Sequence, residues 1–188
     1  MSSNIDTFKA NLAGGGARAN QFRVIFNRPP TLAGGLSILR SSFLIRTAQL
    51  PGSSVGEVVV PFRGRNLYLA GDREYETWTT TVLNDTDFAV RNIVESWQNG
   101  MNNFISGEGD VTVNNYTADI TVQQLDRNDA DGSSPLKEYK LINCFPQAVG
   151  AIDLSYDATT EIETFDITWR YTHFETGFQG RPTGTPGT

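Results

Sequence analysis

Four features of the sequence bring together residue types that could do chemistry, and the first is a loop rich in carboxylates. In DRNDADGSSPLKE, Asp129, Asp131 and Glu138 stand at the third, fifth and twelfth positions of an EF-hand calcium loop, with Gly132 at the sixth. The first position, where a carboxylate must bind the ion, is Arg127, and no helical pattern flanks the loop. We therefore interpret this segment as a polar loop between two strands and expect no metal site.

The other three features are a single histidine, a single cysteine and three consecutive glycines. His173 lies at the end of a strand pattern, with nothing around it that resembles a nucleophile elbow or an oxyanion turn. Cys144 ends another strand pattern, which favours a buried, inert thiol, and one cysteine excludes a disulfide within the chain. The glycines at 14–16 lack the Lys and Ser or Thr of a phosphate loop. We expect no cofactor and no enzymatic activity; the alternative, a cofactor-free hydrolase, needs a polar pocket that joins His173 to a nucleophile.

Strands are the elements that would position these residues. A chain of 188 residues, 38% of them hydrophobic, allows one folded domain. In NQFRVIFN, apolar and polar residues alternate with the period of a half-buried strand. Pro61, inside a second such pattern, indicates a sheet edge or a bulge. The further strand patterns, rich in β-branched and aromatic residues, are FLIRTAQL, EVVVPF, RGRNLYL, REYETWTTTVLN, TADITVQQL, KEYKLINCF and ETFDITWRYTHF.

One segment has the spacing of a helix. In TDFAVRNIVESWQNGMNNF the apolar residues recur every three or four positions, which predicts a helix over about 86–100 with one side in the core. Thr86 or Asp87 would cap its start, and Gly100 would mark its end. The remaining segments are predicted as a flexible arm at 1–19, a long, partly apolar loop at 28–42 and a flexible Gly/Pro/Thr tail at 176–188, around one domain at 20–175.

Charge is divided unevenly along the chain. The net charge is −6, but residues 1–75 hold nine basic and four acidic residues, whereas residues 76–188 hold six basic and 17 acidic ones. Eight of those nine basic residues are arginines, whose planar fork grips carboxylates in two places and is enriched at interfaces. This division suits a solvated face or complementary surfaces on copies of one protein. Nucleic-acid recognition is disfavoured because the arginines are scattered and the protein is acidic.

Neither a membrane nor a secretion signal is indicated. No apolar run approaches the ~18 residues of a membrane-spanning helix. The first 16 residues lack the apolar centre of a signal peptide. We expect a soluble protein, made in a reducing cytoplasm, with no membrane partner.

Six segments occur in a fixed order across most of residues 8–174. They are GARANQFRVIF, QLPG, PFRGRNLYLAGDREYETWTTTVLND, the helix with Trp97, NCFPQAVGAIDLSYD and IETFDITWRYTHF. Together they resemble the tail tube proteins of contractile-tailed bacteriophages, which are related to the tubes of phage-derived injection devices. The resemblance implies a mainly β fold, a β-barrel or sandwich of two packed antiparallel sheets with one flanking α-helix.

The same resemblance implies a structural role. Subunits of this family form hexameric rings that stack inside a contractile sheath, so the expected partners are further copies of the chain, the sheath, the baseplate and the tail terminator. DNA would pass through the lumen without specific binding, and the protein would belong to the virion. A tube initiator or baseplate-hub protein and the tube of a protein-delivering particle are alternatives of the same fold. A β-sandwich binding module with an exposed aromatic cleft is an alternative of another class.

Contacts between copies are a first hypothesis built on these patterns. Open strand edges at 55–62 and 75–84 would pair with a neighbouring copy and continue its sheet. Between rings, arginines of one copy would meet acidic loops of the next, with the loop at 28–42 reaching across. The candidate residues are Arg18, Arg23, Arg28, Arg40, Arg46, Arg63, Arg65, Asp126, Asp129, Asp131, Asp153, Asp157 and Glu161.

The lining of the lumen is a second hypothesis. Acidic and neutral polar side chains avoid the contacts that Lys and Arg make with phosphate, so strand faces that carry them would let DNA slide. The candidates are Glu57, Asp119, Thr121 and Gln123.

Overall fold

The computed structural model describes residues 16–27, 44–126, 135–157 and 161–177, together with Ile5 and Pro29. Most of the predicted arm, loop and tail lie outside these residues, although the last strand continues to Gly177. None of the helices in the described ranges has the length and apolar composition needed to cross a bilayer. The elements are β1 (Phe22–Phe26), β2 (Ile45–Ala48), β3 (Ser53–Phe62), β4 (Arg65–Tyr75), β5 (Trp78–Leu83), α1 (Ala89–Met101), α2 (Val113–Tyr116), β6 (Ala118–Gln124), β7 (Lys137–Val149), β8 (Thr164–Arg170) and β9 (His173–Gly177).

Two antiparallel sheets share the long strand β7. In sheet A the order is β1-β6-β7-β9, and in sheet B it is β7-β8-β5-β2. The first part of β7 pairs with β6 and β9, and the part from Phe145 onwards pairs with β8. The register of β7 shifts on both partners, near Asn143 and again near Pro146, and such bulges let a strand bend from one sheet into another.

The core lies between the two sheets and under α1. Phe26 of sheet A contacts Trp169 of sheet B with ring centroids 5.3 Å apart, and Trp97 of α1 packs on the same indole at 5.6 Å. Val90 and Val94 of α1 are buried beside Trp97, as the helical spacing predicts. The sandwich of two antiparallel sheets with one flanking helix, implied by the resemblance, is therefore confirmed.

The helix begins later than predicted. Its N-cap is Phe88, which has left-handed backbone angles (φ 52°) and no side-chain capping bond, so the prediction that Thr86 or Asp87 caps the helix is wrong. The polar residues form a turn before the helix instead, in which the Asp85 carboxylate accepts the backbone N–H of Thr86. Gly100 lies within the last turn, and the helix ends one residue beyond it.

Two segments predicted as single strands are each divided between two strands. REYETWTTTVLN contains the end of β4 and, from Trp78, the whole of β5, while ETFDITWRYTHF contains β8 and the first residues of β9. In the first case the pairing partner changes from β3 to β8 and β2; in the second, both strands pair with β7, at different parts of its length. Alternation continues from the buried Trp169 to the buried Tyr171, but it breaks between Tyr75 and Trp78, which both face the core although they are three positions apart. The local pattern does not reveal which strand a segment pairs with.

The hairpin of β3 and β4 is separate from both sheets and kinks at two glycines. Gly71 and Asp72 on β4 oppose Gly56 on β3, which makes a bulge in the ladder. A Cβ at Gly71 would lie 3.1 Å from the backbone C and O of Gly56, closer than side chains normally approach a backbone. The absence of a side chain therefore allows the two strands to approach at the bulge.

Gly71→Ala should open the hairpin at this bulge. Because the clash is with backbone atoms that belong to the ladder, we expect amide hydrogens of β3 and β4 to exchange about tenfold faster. Hydrogen exchange read by mass spectrometry measures this directly. Gly52→Ala is the control, since nothing lies within 4 Å of a Cβ at that position; equal exchange in the two variants would contradict the prediction.

Candidate self-assembly surfaces

The β3–β4 hairpin has one apolar face that the rest of the described residues leave exposed. Cross-strand partners point to the same side, so Val58, Val60 and Phe62 share a face with Leu69 and Leu67. These five side chains keep between 40% and 66% of their surface exposed. We call these five residues the apolar hairpin face. A contiguous apolar patch of this kind marks a binding surface.

The opposite face of the hairpin is mixed. It carries Glu57, Val59 and Pro61 from β3 and Asn66, Tyr68 and Ala70 from β4. Glu57 was predicted to line a lumen, and it lies on a face on which polar groups interrupt the apolar ones. One side of the hairpin is therefore suited to packing and the other to water.

Open strand edges lie in only part of the region where they were predicted. Among the described residues β3 pairs with β4 alone, so the outer edge of 55–62 is free as predicted. The prediction for 75–84 is wrong, because β5 runs through this segment between β8 and β2. The edge strands of the sandwich are β1, β2 and β9.

The tip of the hairpin is a tight two-residue turn made by Arg63 and Gly64. Both have positive φ, 47° and 82°, the backbone conformation of a type I′ turn. The Arg63 guanidinium lies 5.3 Å from the centre of the Phe62 ring, and Arg65 begins the return strand. The turn thus places two of the predicted contact arginines together at the most projecting end of the hairpin.

The other predicted contact arginines that the structure describes lie away from Arg63 and Arg65. Arg46 is exposed on the edge strand β2, Arg23 is on the edge strand β1, and Arg18 is exposed in the turn before β1. Gln124 donates to the backbone carbonyl of Arg18, which fixes that turn against β6. Arg28 and Arg40 lie outside the described residues. The described arginines from the basic first part of the sequence therefore form several separate sites and not one patch.

Three of the predicted acidic contact residues lie on one segment of the chain. Asp153, Asp157 and Glu161 are all exposed on the segment that connects β7 to β8. Residues 151–156 and 161–164 line a cleft of about 580 Å³, which we call the acidic cleft. Three large apolar side chains on the same segment are also exposed, namely Leu154, Tyr156 and Ile162. Asp126 lies apart, directly after β6, and Asp129 and Asp131 lie outside the described residues.

The remaining lumen candidates share the outer face of β6. Asp119, Thr121 and Gln123 alternate with the buried Ile120 and Val122. Gln123 is 92% buried, since its exposed fraction is 8%, and its amide donates to the Glu138 carboxylate at 2.7 Å. A side chain so covered is not available to line a channel in the way that was predicted.

Asp119 binds two groups of its own chain. Its Oδ1 accepts the backbone N–H of Asn143 at 3.2 Å, and its Oδ2 lies 2.9 Å from the Lys140 ammonium. Asn143 has a positive φ of 55°, at the bulge where β7 shifts register on β6. The hydrogen bond and charge of Asp119 raise the pKa of Lys140 above its ordinary value. The carboxylate therefore clamps the bulge.

Asp119→Ala should destabilise the fold by about 1–3 kcal/mol, because the Asn143 N–H loses its acceptor. Asp119→Asn keeps an acceptor oxygen and loses only the exposed ion pair with Lys140, so it should cost less than Asp119→Ala. Urea unfolding followed by tryptophan fluorescence measures both. Equal losses in the two variants would contradict the role assigned to the hydrogen bond.

Cys144 and His173 do not form a reactive site. Cys144 is fully buried, and desolvation raises the pKa of its thiol to about 12. His173 begins β9 and pairs with Ile142. Within the described residues there is no group of three or more His, Cys, Asp or Glu side chains arranged to hold a metal ion.

Folded protein should resist thiol reagents at Cys144. The folded state keeps the thiol proton between pH 9 and pH 12 while the unfolded chain loses it, so this group should lower stability as the pH rises through that window. We expect no labelling of the native chain at pH 8 and complete labelling in urea. Labelling of the native chain at the rate of a free thiol would contradict the burial.

Some surface features escaped the sequence patterns. The loop after α1 exposes Phe104, Ile105 and Val111, with exposed fractions of 72%, 98% and 96%. The apolar hairpin face was missed too, because β3 and β4 are apolar enough to look like core strands. Only the separation of the hairpin from both sheets reveals that its apolar residues stay exposed within the part of the chain that the structure describes.

These surfaces define a class of protein: a β-sandwich subunit whose exposed hairpin, strand edges and charged sites suit contacts with other protein chains. Comparison with known proteins narrows the class. The model of the phage tail tube protein family matches residues 17–177, and the chain belongs to this family.

Relatives by sequence include tail tube proteins of two phages. The tail tube protein gp19 of Enterobacteria phage T4 is 30% identical over 155 residues, which cover 80% of this chain and 91% of gp19. The tail tube protein of Serratia phage KSP90 is 27% identical over 171 residues, covering 90% and 94%. The resemblance identified from the sequence is confirmed, and the chain is a structural tail tube protein.

Solved structures with the same fold come from contractile injection systems. The sheath/tube terminator of an extracellular contractile injection system (PVC) aligns with a TM-score of 0.62 at 13% identity, over 87% of this chain and 97% of that one. A chain of the PVC sheath-tube complex in its extended state aligns at 0.53 and 13%, over 90% and 96%. At such identities the likeness shows the fold.

Proposed function

We propose that this chain assembles into hexameric rings that stack into the inner tube of a contractile phage tail, through which DNA passes without specific binding. The tube subunit has no enzymatic activity in this proposal. One observation carries it: the apolar hairpin face, which the rest of the described chain leaves exposed. Burying it against a neighbouring copy removes apolar surface from water, and a heterologous contact repeated around an axis closes into a ring.

The partners of the tube follow from the relatives. The related structures are a sheath/tube terminator, a sheath-tube complex, a baseplate and a tube cap of contractile injection systems. We assign this chain corresponding contacts with a sheath, a baseplate and a terminator, and a place in the virion after synthesis in the host cytoplasm. A phage tail is favoured over a protein-delivering particle because the sequence relatives at 27–30% identity are phage proteins.

The lumen hypothesis changes in one respect. Glu57 and Thr121 remain candidates for the lining, whereas Asp119 is engaged as a clamp and Gln123 is covered. The outer face of sheet A also carries Lys140, which is neutralised by Asp119. An ion-paired lysine of this kind adds little attraction for phosphate.

Size-exclusion chromatography followed by negative-stain electron microscopy tests the proposal. We expect rings that stack into tubes as the protein concentration rises. Raising salt from about 0.1 M to about 1 M should weaken charged contacts between copies and leave apolar ones, so tubes should shorten before rings dissociate. Protein that stays monomeric at high concentration and at both salt levels would overturn the proposal.

A further inference from the structure

We propose that the hairpin tip of one copy, Phe62–Arg65, inserts into the acidic cleft of another copy. This inference rests on the proposed function, because it names the contact by which neighbouring copies recognise each other. It goes further in assigning both halves of that contact to particular residues. The occupant of the cleft is a second copy of this chain.

Charge at the tip is available for a partner. Arg63 and Arg65 are exposed, and neither makes an ion pair with any carboxylate in the described part of its own chain. Phe62 keeps 66% of its surface exposed beneath the Arg63 guanidinium. The tip therefore presents two cations around an aromatic ring, a combination enriched in the centres of protein interfaces.

The backbone conformation of the tip also supports a binding role for Arg63. A type I′ turn favours Asn or Gly at its first central position, because both tolerate a positive φ. Arg63 occupies that position at φ 47°, where an L side chain with a long stem is strained. Asn or Gly would relieve this strain. The presence of Arg63 at the exposed turn therefore indicates that its side chain has a role of its own.

The acidic cleft carries charged and apolar groups that complement those of the hairpin tip. Asp153 and Glu161 line the cleft, are exposed and, among the residues that the structure describes, have no cation within ion-pair distance. Tyr156 and Leu154 expose apolar surface beside them, at 106% and 79%. Carboxylates next to exposed apolar groups suit an occupant that carries arginines and a ring. The charge complementarity between tip and cleft selects a second copy as that occupant.

Charge reversal tests the contact. Arg63→Glu with Arg65→Glu should place like charges together and lower the amount of tube at a given protein concentration by at least about tenfold. Adding Asp153→Arg and Glu161→Arg to the same chain restores opposite charges and should bring the amount back to within about threefold of the starting protein. Arg73→Glu with Lys137→Glu is the matched control, with the same change in net charge at two exposed positions away from the tip. Arg63→Asn removes charge while suiting the turn, so it should also reduce tube formation.

Cross-linking gives a readout that does not depend on the amount of assembly. Because Cys144 is fully buried, Arg65→Cys with Glu161→Cys supplies the two reactive thiols. Mild oxidation should then produce a ladder of covalent multimers, which neither single variant can extend beyond a dimer. Arg65→Cys with Glu108→Cys is the control, since Glu108 is an exposed carboxylate on another loop.

The outcomes separate this inference from the proposed function. Rescue by the second charge reversal together with the ladder supports the contact. Wild-type tubes with no effect of reversal, or with no ladder, overturn the contact and leave the tube function standing. Wild-type protein that never forms rings overturns both.

Discussion

Val60→Asp should abolish ring and tube formation while leaving the subunit folded. Val60 lies in the middle of the apolar hairpin face and is 40% exposed in the single chain. In the proposed ring it packs against a neighbouring copy, where an unpaired carboxylate costs about 3 kcal/mol or more, a factor of at least about 100 in each contact. Analytical ultracentrifugation and negative-stain microscopy measure the loss.

The matched control is the adjacent residue on the other side of the strand. Val59 is a valine of similar exposure, 44%, but it shares its face with Glu57 and Asn66. Val59→Asp should therefore retain tubes, because a carboxylate is tolerated on the face turned to water. Loss of assembly in both variants would show that the hairpin packs through both faces, and assembly in both would show that it packs through neither.

Trp169→Ala should give the largest loss of stability of any single substitution considered, about 3–5 kcal/mol, because it empties the centre of the core. Trp169 is 1% exposed and contacts Phe26 of sheet A and Trp97 of α1. Its indole N–H also donates to the hydroxyl of the buried Thr80 at 3.0 Å. The substitution thus removes a side chain that joins both sheets and the helix.

The measurement is best made on a chain that cannot assemble. In the Val60→Asp background, urea unfolding reports the subunit alone, free of the concentration dependence that association adds. Tyr156→Ala is the control, since that side chain is fully exposed and its removal should change stability by less than about 0.5 kcal/mol. A loss below about 1 kcal/mol for Trp169→Ala would contradict the central position of this side chain.

Much of the sandwich could be predicted because side-chain alternation is a local property. Val24 in β1 and Ile120 in β6 are buried as their alternation predicts, and Phe165, Ile167 and Trp169 share the core side of β8. Such patterns survive because burial of alternate side chains is what stabilises a strand on a core.

The prediction of an open edge at 75–84 was wrong because it concerned pairing between distant segments. Residues 75–84 have a β pattern that suits an edge as well as a centre, and only the arrival of β2 and β8 on either side makes this a central strand. The lumen role of Asp119 stays a prediction, but the partners of this side chain could not be predicted from the sequence. The binding of Asp119 to Lys140 and to the Asn143 N–H depends on a bulge in β7, and no local sequence pattern predicts that bulge.

By itself, the sequence determined the β class of this protein, the core side of each strand, the division of charge and, through its family resemblance, a structural role in a tail tube. The tertiary structure alone decided that β3 and β4 detach from the sandwich, and so that an apolar face remains for another chain to cover. The physical reason is that alternation is encoded within a strand, whereas the choice of pairing partner depends on the free energy of contacts between segments far apart in the chain.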